Sequence, residues 1–205
     1  MRVTGSVLLM VVLLLVLTPT LSGASSIPID VGGGLLVGGY FGELRHDWQA
    51  GVGGTLFLQV PWKYDIEGRL SGSMQWNDGS LRAREAHNDP DLGARPAERP
   101  RSFRRASYTA SVLWRAECCP VGDFGVPLLG AGIGTYERAV TYDGPSGTRR
   151  VSGWDPGVHA IAGVRLYRTS GMFLELEGAV RGIDTPKRWT TAYDATLLLG
   201  VQVGP

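Results

Sequence analysis

The chain reads as all-β: an eight-stranded antiparallel up-and-down β-barrel that spans a membrane, with short turns at one end and longer loops at the other. Three observations predict it: runs in which apolar and polar residues strictly alternate, aromatic residues at the ends of the apolar sets, and no long apolar stretch beyond the N-terminus. Side chains of a strand point to opposite faces with a period of two, so each run has one apolar and one polar face. Aromatics bracketing the apolar face point to a bilayer as its environment.

Residues 1–24 read as a cleaved secretory signal and stand outside the fold. Arg2 supplies the positive start, residues 7–17 are an unbroken apolar run, and Ser22 and Ala24 give small residues for cleavage. The run is shorter than the ~20 residues a spanning helix needs. No cysteine follows it, which argues against a lipoprotein. Residues 25–205 are then one exported barrel domain.

The first strand, near residues 29–41, is Gly-rich and alternates least clearly. In the second, Ala50, Val52, Leu56, Leu58 and Val60 oppose Gln49, Thr55, Phe57 and Gln59. The third is the cleanest: Tyr64, Ile66, Gly68, Leu70, Gly72, Met74 and Trp76 oppose Asp65, Glu67, Arg69, Ser71, Ser73 and Gln75. In the fourth, Tyr108, Ala110, Val112, Trp114 and Ala116 oppose a set that ends in Arg115 and Glu117. The fifth, near 126–138, is again Gly-rich. The sixth sets Pro156, Val158, Ala160, Ala162, Val164 and Leu166 against Asp155, His159 and Arg165. The seventh sets Met172, Leu174, Leu176 and Val180 against Glu175, Glu177 and Arg181, and the eighth sets Tyr193, Ala195, Leu197, Leu199, Val201 and Val203 against Asp194, Thr196 and Gln202. Each run approaches the ~9–11 residues that a tilted strand needs to cross a membrane. In hydrocarbon such strands must close on themselves, because unpaired backbone groups cost several kcal/mol each.

The cost of charge facing lipid fixes the faces. Turning Arg69, Arg115, Arg165 and Arg181 toward lipid would cost roughly 2–4 kcal/mol apiece near the midplane, together comparable to the ~5–15 kcal/mol stability of a whole domain. The charged set therefore lines the interior: Asp65, Glu67, Arg69, Arg115, Glu117, Asp155, His159, Arg165, Glu175, Glu177, Arg181 and Asp194. An eight-stranded barrel is just wide enough for side chains to fill it, so these groups are expected to pair into a network that plugs the lumen. A narrow pore is the alternative. Trp48, Tyr64, Trp76, Tyr108, Trp114, Trp154 and Tyr193 form the expected aromatic girdle.

Connections near 60–64, 118–123 and 167–171 are short. Those near 44–47, 77–105, 142–151 and 183–188 lie at the opposite end and include the long ones, the pattern of periplasmic turns and external loops. The 77–105 loop far exceeds the usual ~4–6 residues. Its Arg95, Arg99, Arg101, Arg104 and Arg105 are a candidate contact for lipopolysaccharide phosphates, or a solvated charge run.

The 20 basic and 19 acidic residues nearly cancel, which leaves no basic footprint for nucleic acid. Mean hydropathy near zero is low for a helical membrane protein and ordinary for a barrel. Cys118 and Cys119 are adjacent, with Cα atoms only ~3.8 Å apart against the usual ~4.4–6.8 Å of a disulfide. A vicinal disulfide, free thiols and an intermolecular bridge all stay open. Metal binding would need further ligands that the sequence does not place beside them, and no cofactor is expected.

The stretches 128–136 (Leu128-Leu129-Gly130-Ala131-Gly132-Ile133-Gly134, then Tyr136), 157–167 and 173–177 resemble the C-terminal half of the small eight-stranded outer-membrane β-barrel domains, similar to the transmembrane domain of outer-membrane protein A. The resemblance is sharpest in the second half of the chain and implies fold more than activity. It implies a bacterial outer-membrane location, assembly by the barrel-assembly machinery, contact with outer-membrane lipid and lipopolysaccharide, and a structural or surface-recognition role. One departure concerns assembly: such barrels commonly end in an aromatic residue, whereas this chain ends Val203-Gly204-Pro205.

Lipid A deacylases and palmitoyltransferases share this architecture, so catalysis needs a test. An ester-cleaving site needs a hydroxyl, a histidine in reach and an acid to orient it. His46 and His87 fall on external loops and His159 points into the lumen, with no His-x-Ser pair, so the chain reads as a non-enzyme. A lipocalin-like soluble barrel with its apolar face inward, binding a hydrophobic ligand, is the remaining alternative. It lacks the Gly-x-Trp that lipocalins usually carry near the mature start.

Overall fold

A computed structural model of the chain describes residues 28–41, 50–62, 65–78, 99–117, 120, 125–169, 171–186 and 189–203. The signal segment, Trp48, Tyr64, Arg95, His46, His87 and the Cys118-Cys119 pair lie outside the described residues. Eight strands follow in order: β1 (Ile29–Tyr40), β2 (Gly51–Pro61), β3 (Ile66–Asp78), β4 (Arg99–Arg115), β5 (Val126–Gly144), β6 (Gly147–Thr169), β7 (Met172–Asp184) and β8 (Trp189–Val203). Each pairs antiparallel with the next, and β8 returns to β1 over the register Ile29↔Val203 to Tyr40↔Ala192, which closes the barrel.

The period-two pattern is realised as expected. Along β8, Ala192, Asp194, Thr196 and Leu198 are buried, while Ala195, Leu197, Leu199 and Val201 are exposed. The exposed large hydrophobics include Leu35, Leu56, Leu70, Val112, Leu129, Val158, Leu176 and Leu197, all on the outer surface. The apolar face therefore points outward, which removes the soluble barrel with an apolar interior.

The Gly-rich β1 has a steric reason. A Cβ on Gly34 would lie 1.9 Å from the carbonyl oxygen of Leu197, and one on Gly32 would lie 2.2 Å from that of Leu199. At the seam with β8 the backbones approach too closely for side chains.

Strand ends depart from the sequence reading in three places. Residues 142–151 are not a loop: the β5–β6 ladder continues to Gly144↔Gly147, with Gly147 at φ 108 closing a two-residue turn. Val140, Thr141, Tyr142, Thr148 and Val151 are strand formers, and a glycine at positive φ lets the hairpin turn tightly. The long external connection is also shorter than expected, since β4 begins at Arg99 and pairs Arg104↔Ala139 and Arg105↔Arg138. At the opposite end, β3 starts at Ile66. Asp65 sits in the preceding turn at φ 62, exposed, where its carbonyl accepts the Arg115 backbone N–H at 2.8 Å.

The wall is uneven in height. The β6–β7 ladder begins only at Gly157↔Ile183, ten residues of β6 below the start of its ladder with β5 at Gly147. Strands β4, β5 and β6 thus rise above β7, β8 and β1 at the end that carries the longer connections.

Candidate functional site

The interior is built from the inward rows of all eight strands, and its charges group by height. Near the end where β1 begins, Arg69 on β3 is the hub. Its Nε donates to Gln59 Oε1 at 2.7 Å and its Nη2 to Glu175 Oε2 at 2.6 Å, while Nη1 donates to Glu177. Arg165 donates from Nε to Glu175 Oε1 at 2.5 Å, and its guanidinium lies 3.6 Å from Asp30 and 3.8 Å from Glu67. It also stacks 3.8 Å above the Phe173 ring. Arg115 Nη2 reaches Glu67 Oε1 at 2.6 Å, and Gln59 Nε2 donates to the other Glu67 oxygen. Phe57, Phe173 and Leu198 pack as an apolar cluster beside these ions. Charge-assisted pairs shared in this way, with aromatic faces over the cations, let guanidinium and carboxylate groups be buried without leaving one unmatched.

The middle layer is hydroxylic. Ser71 meets Thr109 at 2.6 Å, Ser73 meets Ser107 at 2.8 Å, and His159 has the Ser111 hydroxyl at 2.8 Å from Nε2 and the Tyr136 hydroxyl at 3.1 Å from Nδ1. A cavity of about 30 Å³ remains here, between Arg69, Ser71, Thr109, His159, Glu177 and Arg181, room for a single water by volume.

Toward the taller end, Arg105 Nη2 donates to Gln75 Oε1 at 2.5 Å and also to Asp194, which accepts from Arg181 as well. Gln75 Nε2 donates to the carbonyls of Gly38 at 2.6 Å and Gly51 at 2.9 Å, while Arg138 Nε donates to Asp155 at 2.9 Å. Tyr40, Phe103, Val140, Tyr142, Ile183 and Ala192 form an apolar cluster with Tyr136, which reaches from it to His159 in the middle layer.

Most of the residues expected inside are inside: Glu67, Arg69, Asp155, His159, Arg165, Glu175, Glu177 and Asp194 are buried, with Arg115 and Arg181 partly so. Two are not. Asp65 is in an exposed turn, because the strand starts one residue after it, and Glu117 lies past the end of β4 at the rim, 3.7 Å from Arg115. The arginines expected on one external surface divide. Arg105 is only 3% exposed and faces inward, a correction that follows from β4 extending through this segment. Arg104 faces outward on the wall and pairs with Glu137 at 2.6 Å. Arg101 is exposed, 3.8 Å from Asp143, and Arg99 is the first residue of β4.

Sequence reasoning missed Asp30 and Arg138, took Arg105 for a surface cation, and put Gln59 on the polar row of the second strand without a partner. Asp30 lies on the inward row of β1, so a parity count carried into the Gly-rich strands could have found it.

Outside, Trp76, Tyr108, Trp154 and Tyr193 lie toward the taller end, with Tyr108 stacked on Trp154 at 5.6 Å between centroids and Phe41 against Tyr193 at 4.8 Å. Trp114 lies toward the other end. Two exposed tryptophans not foreseen join these sets, Trp189 with the first and Trp62 with the second. Among the described residues no group of three or more metal-ligating side chains converges.

No protein-family model matches the chain, and no curated protein matches it by sequence. Solved structures do match. Neisserial surface protein A (NspA) superposes with a TM-score of 0.56 at 14% identity, over 89% of this chain and 100% of that one. Ail, the attachment invasion locus protein of Yersinia pestis, in complex with the heparin analogue sucrose octasulfate, gives 0.53 at 12% identity over 88% and 100%. A second crystal structure of Ail gives 0.51 at 10% identity over 87% and 98%. At such identities the likeness speaks for architecture alone. With its closed antiparallel barrel and this likeness, the chain has the fold of the small eight-stranded outer-membrane β-barrels.

Proposed function

We propose that the chain is exported to the bacterial outer membrane as a non-enzymatic barrel, its lumen closed to solutes by its own side chains and its taller end turned outward for recognition. The observation that carries this reading is the filled interior. Ion pairs occupy the layers around Arg69 and around Arg105, an aromatic cluster packs against the second, and a cavity of about 30 Å³ lies between them. Single-channel recording of the protein in a planar bilayer tests it: no resolved conductance steps are expected, and stable steps with the wild-type protein would replace the closed barrel with a pore.

The membrane placement is supported by the apolar belt between two aromatic rims. Val112, 56% exposed and set between Tyr108 and Trp114 on β4, lies near the middle of that belt. Val112→Arg should then lose roughly 2–4 kcal/mol in lipid vesicles, read by urea unfolding, while Val112→Ala changes little. Equal effects of the two substitutions would argue against a bilayer around this face.

Chemistry at His159 gets little support. Its two ring nitrogens face Ser111 and Tyr136 inside the wall, and Asp155, the nearest carboxylate on its own row, is engaged by Arg138. A nucleophile placed there meets no lipid substrate. The outward arginines Arg101, Arg104 and Arg150, above the Tyr108–Trp154 stack, stand at the level where lipopolysaccharide phosphates would lie.

A further inference from the structure

A groove of about 730 Å³ crosses the lipid-facing side of the wall from β3 to β8, within the usual size of a small-molecule site. Its floor is the backbone of inward-pointing residues, among them Thr109, Gly134 and Gly157. The outward row Leu70, Ala110, Ile133 and Val158 forms the lower side, and Tyr108 and Pro156 stand on the upper side. Ala110 is small enough to leave the groove open, while Tyr108 is braced by its stack on Trp154.

The groove is not level. Its lower side follows the register Val31↔Leu58↔Leu70↔Ala110↔Ile133↔Val158↔Gly182↔Thr191, and the Thr191 carbonyl accepts the Phe41 backbone N–H at 3.0 Å. One circuit of the wall thus leaves β1 at Val31, near its start, and returns just past its other end at Phe41. Stagger of this kind tilts every row against the barrel axis. This row climbs from Leu70, inside the apolar belt, to the aromatic rim at β7 and β8. With strands ~4.8 Å apart, the stretch from β3 to β7 is about 20 Å long. A hydrocarbon chain lying in it has one end at the rim and the other within the belt.

The rim end has its own chemistry. Trp189 lies against Gly182, where a Cβ would fall 2.4 Å from the indole, and at 56% exposure it keeps ring surface open. Asp184, opposite Trp189 in the last rung of the β7–β8 ladder, is on the outward row and exposed. It is the one charged residue among those lining the groove, and among the described residues no ion pair or hydrogen bond engages it. A free carboxylate beside an open indole suits a cation, and the apolar sides below suit a hydrocarbon tail.

We infer that this groove binds a single-chain amphiphile with a cationic head, of the alkyl trimethylammonium class, its head against Asp184 and Trp189 and its tail descending between the two rows toward Leu70. Tail burial supplies most of the affinity, and the carboxylate with the indole selects the sign of the head. An anionic head meets repulsion at the same place. The inference rests on the bilayer placement of the apolar belt, which Val112→Arg tests separately.

The test uses the full barrel in lipid nanodiscs and two photoactivatable probes of equal length, an alkyl trimethylammonium and an alkyl sulfate, each with a diazirine at the end of its tail. Labelled positions are mapped by mass spectrometry. The cationic probe should label β3 and β4 around Leu70 and Ala110 saturably, and more than the sulfate by about threefold or more. Asp184→Asn should remove that preference and Asp184→Lys should reverse it. Ala110→Phe should abolish the localised labelling by either probe while the heat-dependent gel shift persists. Equal labelling of the wild-type protein by both probes, a preference for the sulfate, or labelling spread evenly around the belt would overturn the inference. Val112→Arg remaining costly in the same lipid would then leave the membrane placement standing.

Discussion

Arg69→Met should cost the barrel about 3–5 kcal/mol of unfolding free energy, the usual loss when one partner of a buried ion network is removed. Arg69 is 3% exposed and engages Gln59, Glu175 and Glu177 together. Without it Glu175 still has Arg165, but Glu177 is left a buried carboxylate facing an apolar side chain. The cost therefore comes mainly from stranded negative charge rather than from lost attraction. Adding Glu177→Gln to Arg69→Met should recover a large part of the loss, and the double-mutant coupling measures the pair. Urea titration followed by tryptophan fluorescence, with the heat-dependent gel shift as a check on folding, gives both numbers. A loss under about 1 kcal/mol for Arg69→Met would mean that water already reaches these groups.

The second large effect is steric. Gly34→Val should prevent the β1–β8 seam from closing in register, because its Cβ would fall 1.9 Å from the Leu197 carbonyl oxygen, a backbone atom that cannot swing aside. Overpacking a core usually costs about 1–3 kcal/mol, and here relief requires moving a strand within a closed ladder, so the loss should reach or exceed the top of that range. Gly68→Val is the control: a Cβ there meets nothing within 4 Å, and valine suits a strand, so stability should hold within about 0.5 kcal/mol. The readout is the fraction of refolded protein that runs as the compact band. Equal yields for the two variants would show that the seam can shift to admit a side chain.

What the sequence shows of this molecule follows the membrane placement proposed above. Between the aromatic rims one face of every strand meets apolar surroundings and the other meets polar partners, so alternation is enforced and Arg69, Arg165, Glu175 and Glu177 could be placed from parity alone. Beyond the rims the outer face meets water while the inner face packs Phe103, Val140 and Tyr142 beside Arg105, so the pattern of apolar outside and polar inside is no longer required. That is why residues 99–105 and 142–151 read as loops although they are strand, and why Arg105 passed for a surface cation. Within β1, glycine carries no polarity signal, and Asp30 was lost among residues chosen for close backbone approach. Partner choice was less legible still: the network of Arg105, Gln75, Asp194 and Arg181 draws on four strands, and only the closed register shows which rows meet.

The aromatic layer of Tyr40, Phe103 and Tyr142 has an environmental consequence. Counter-ions weaken charge pairs only where they can approach them, within a Debye length of ~8 Å at physiological ionic strength, and these rings lie between the Arg105–Asp194 level and the outside. A cell surface passes between dilute and briny water without warning. With the upper ion pairs shielded in this way and the taller end outward as proposed, the barrel's integrity should depend little on the salinity of the water around the cell.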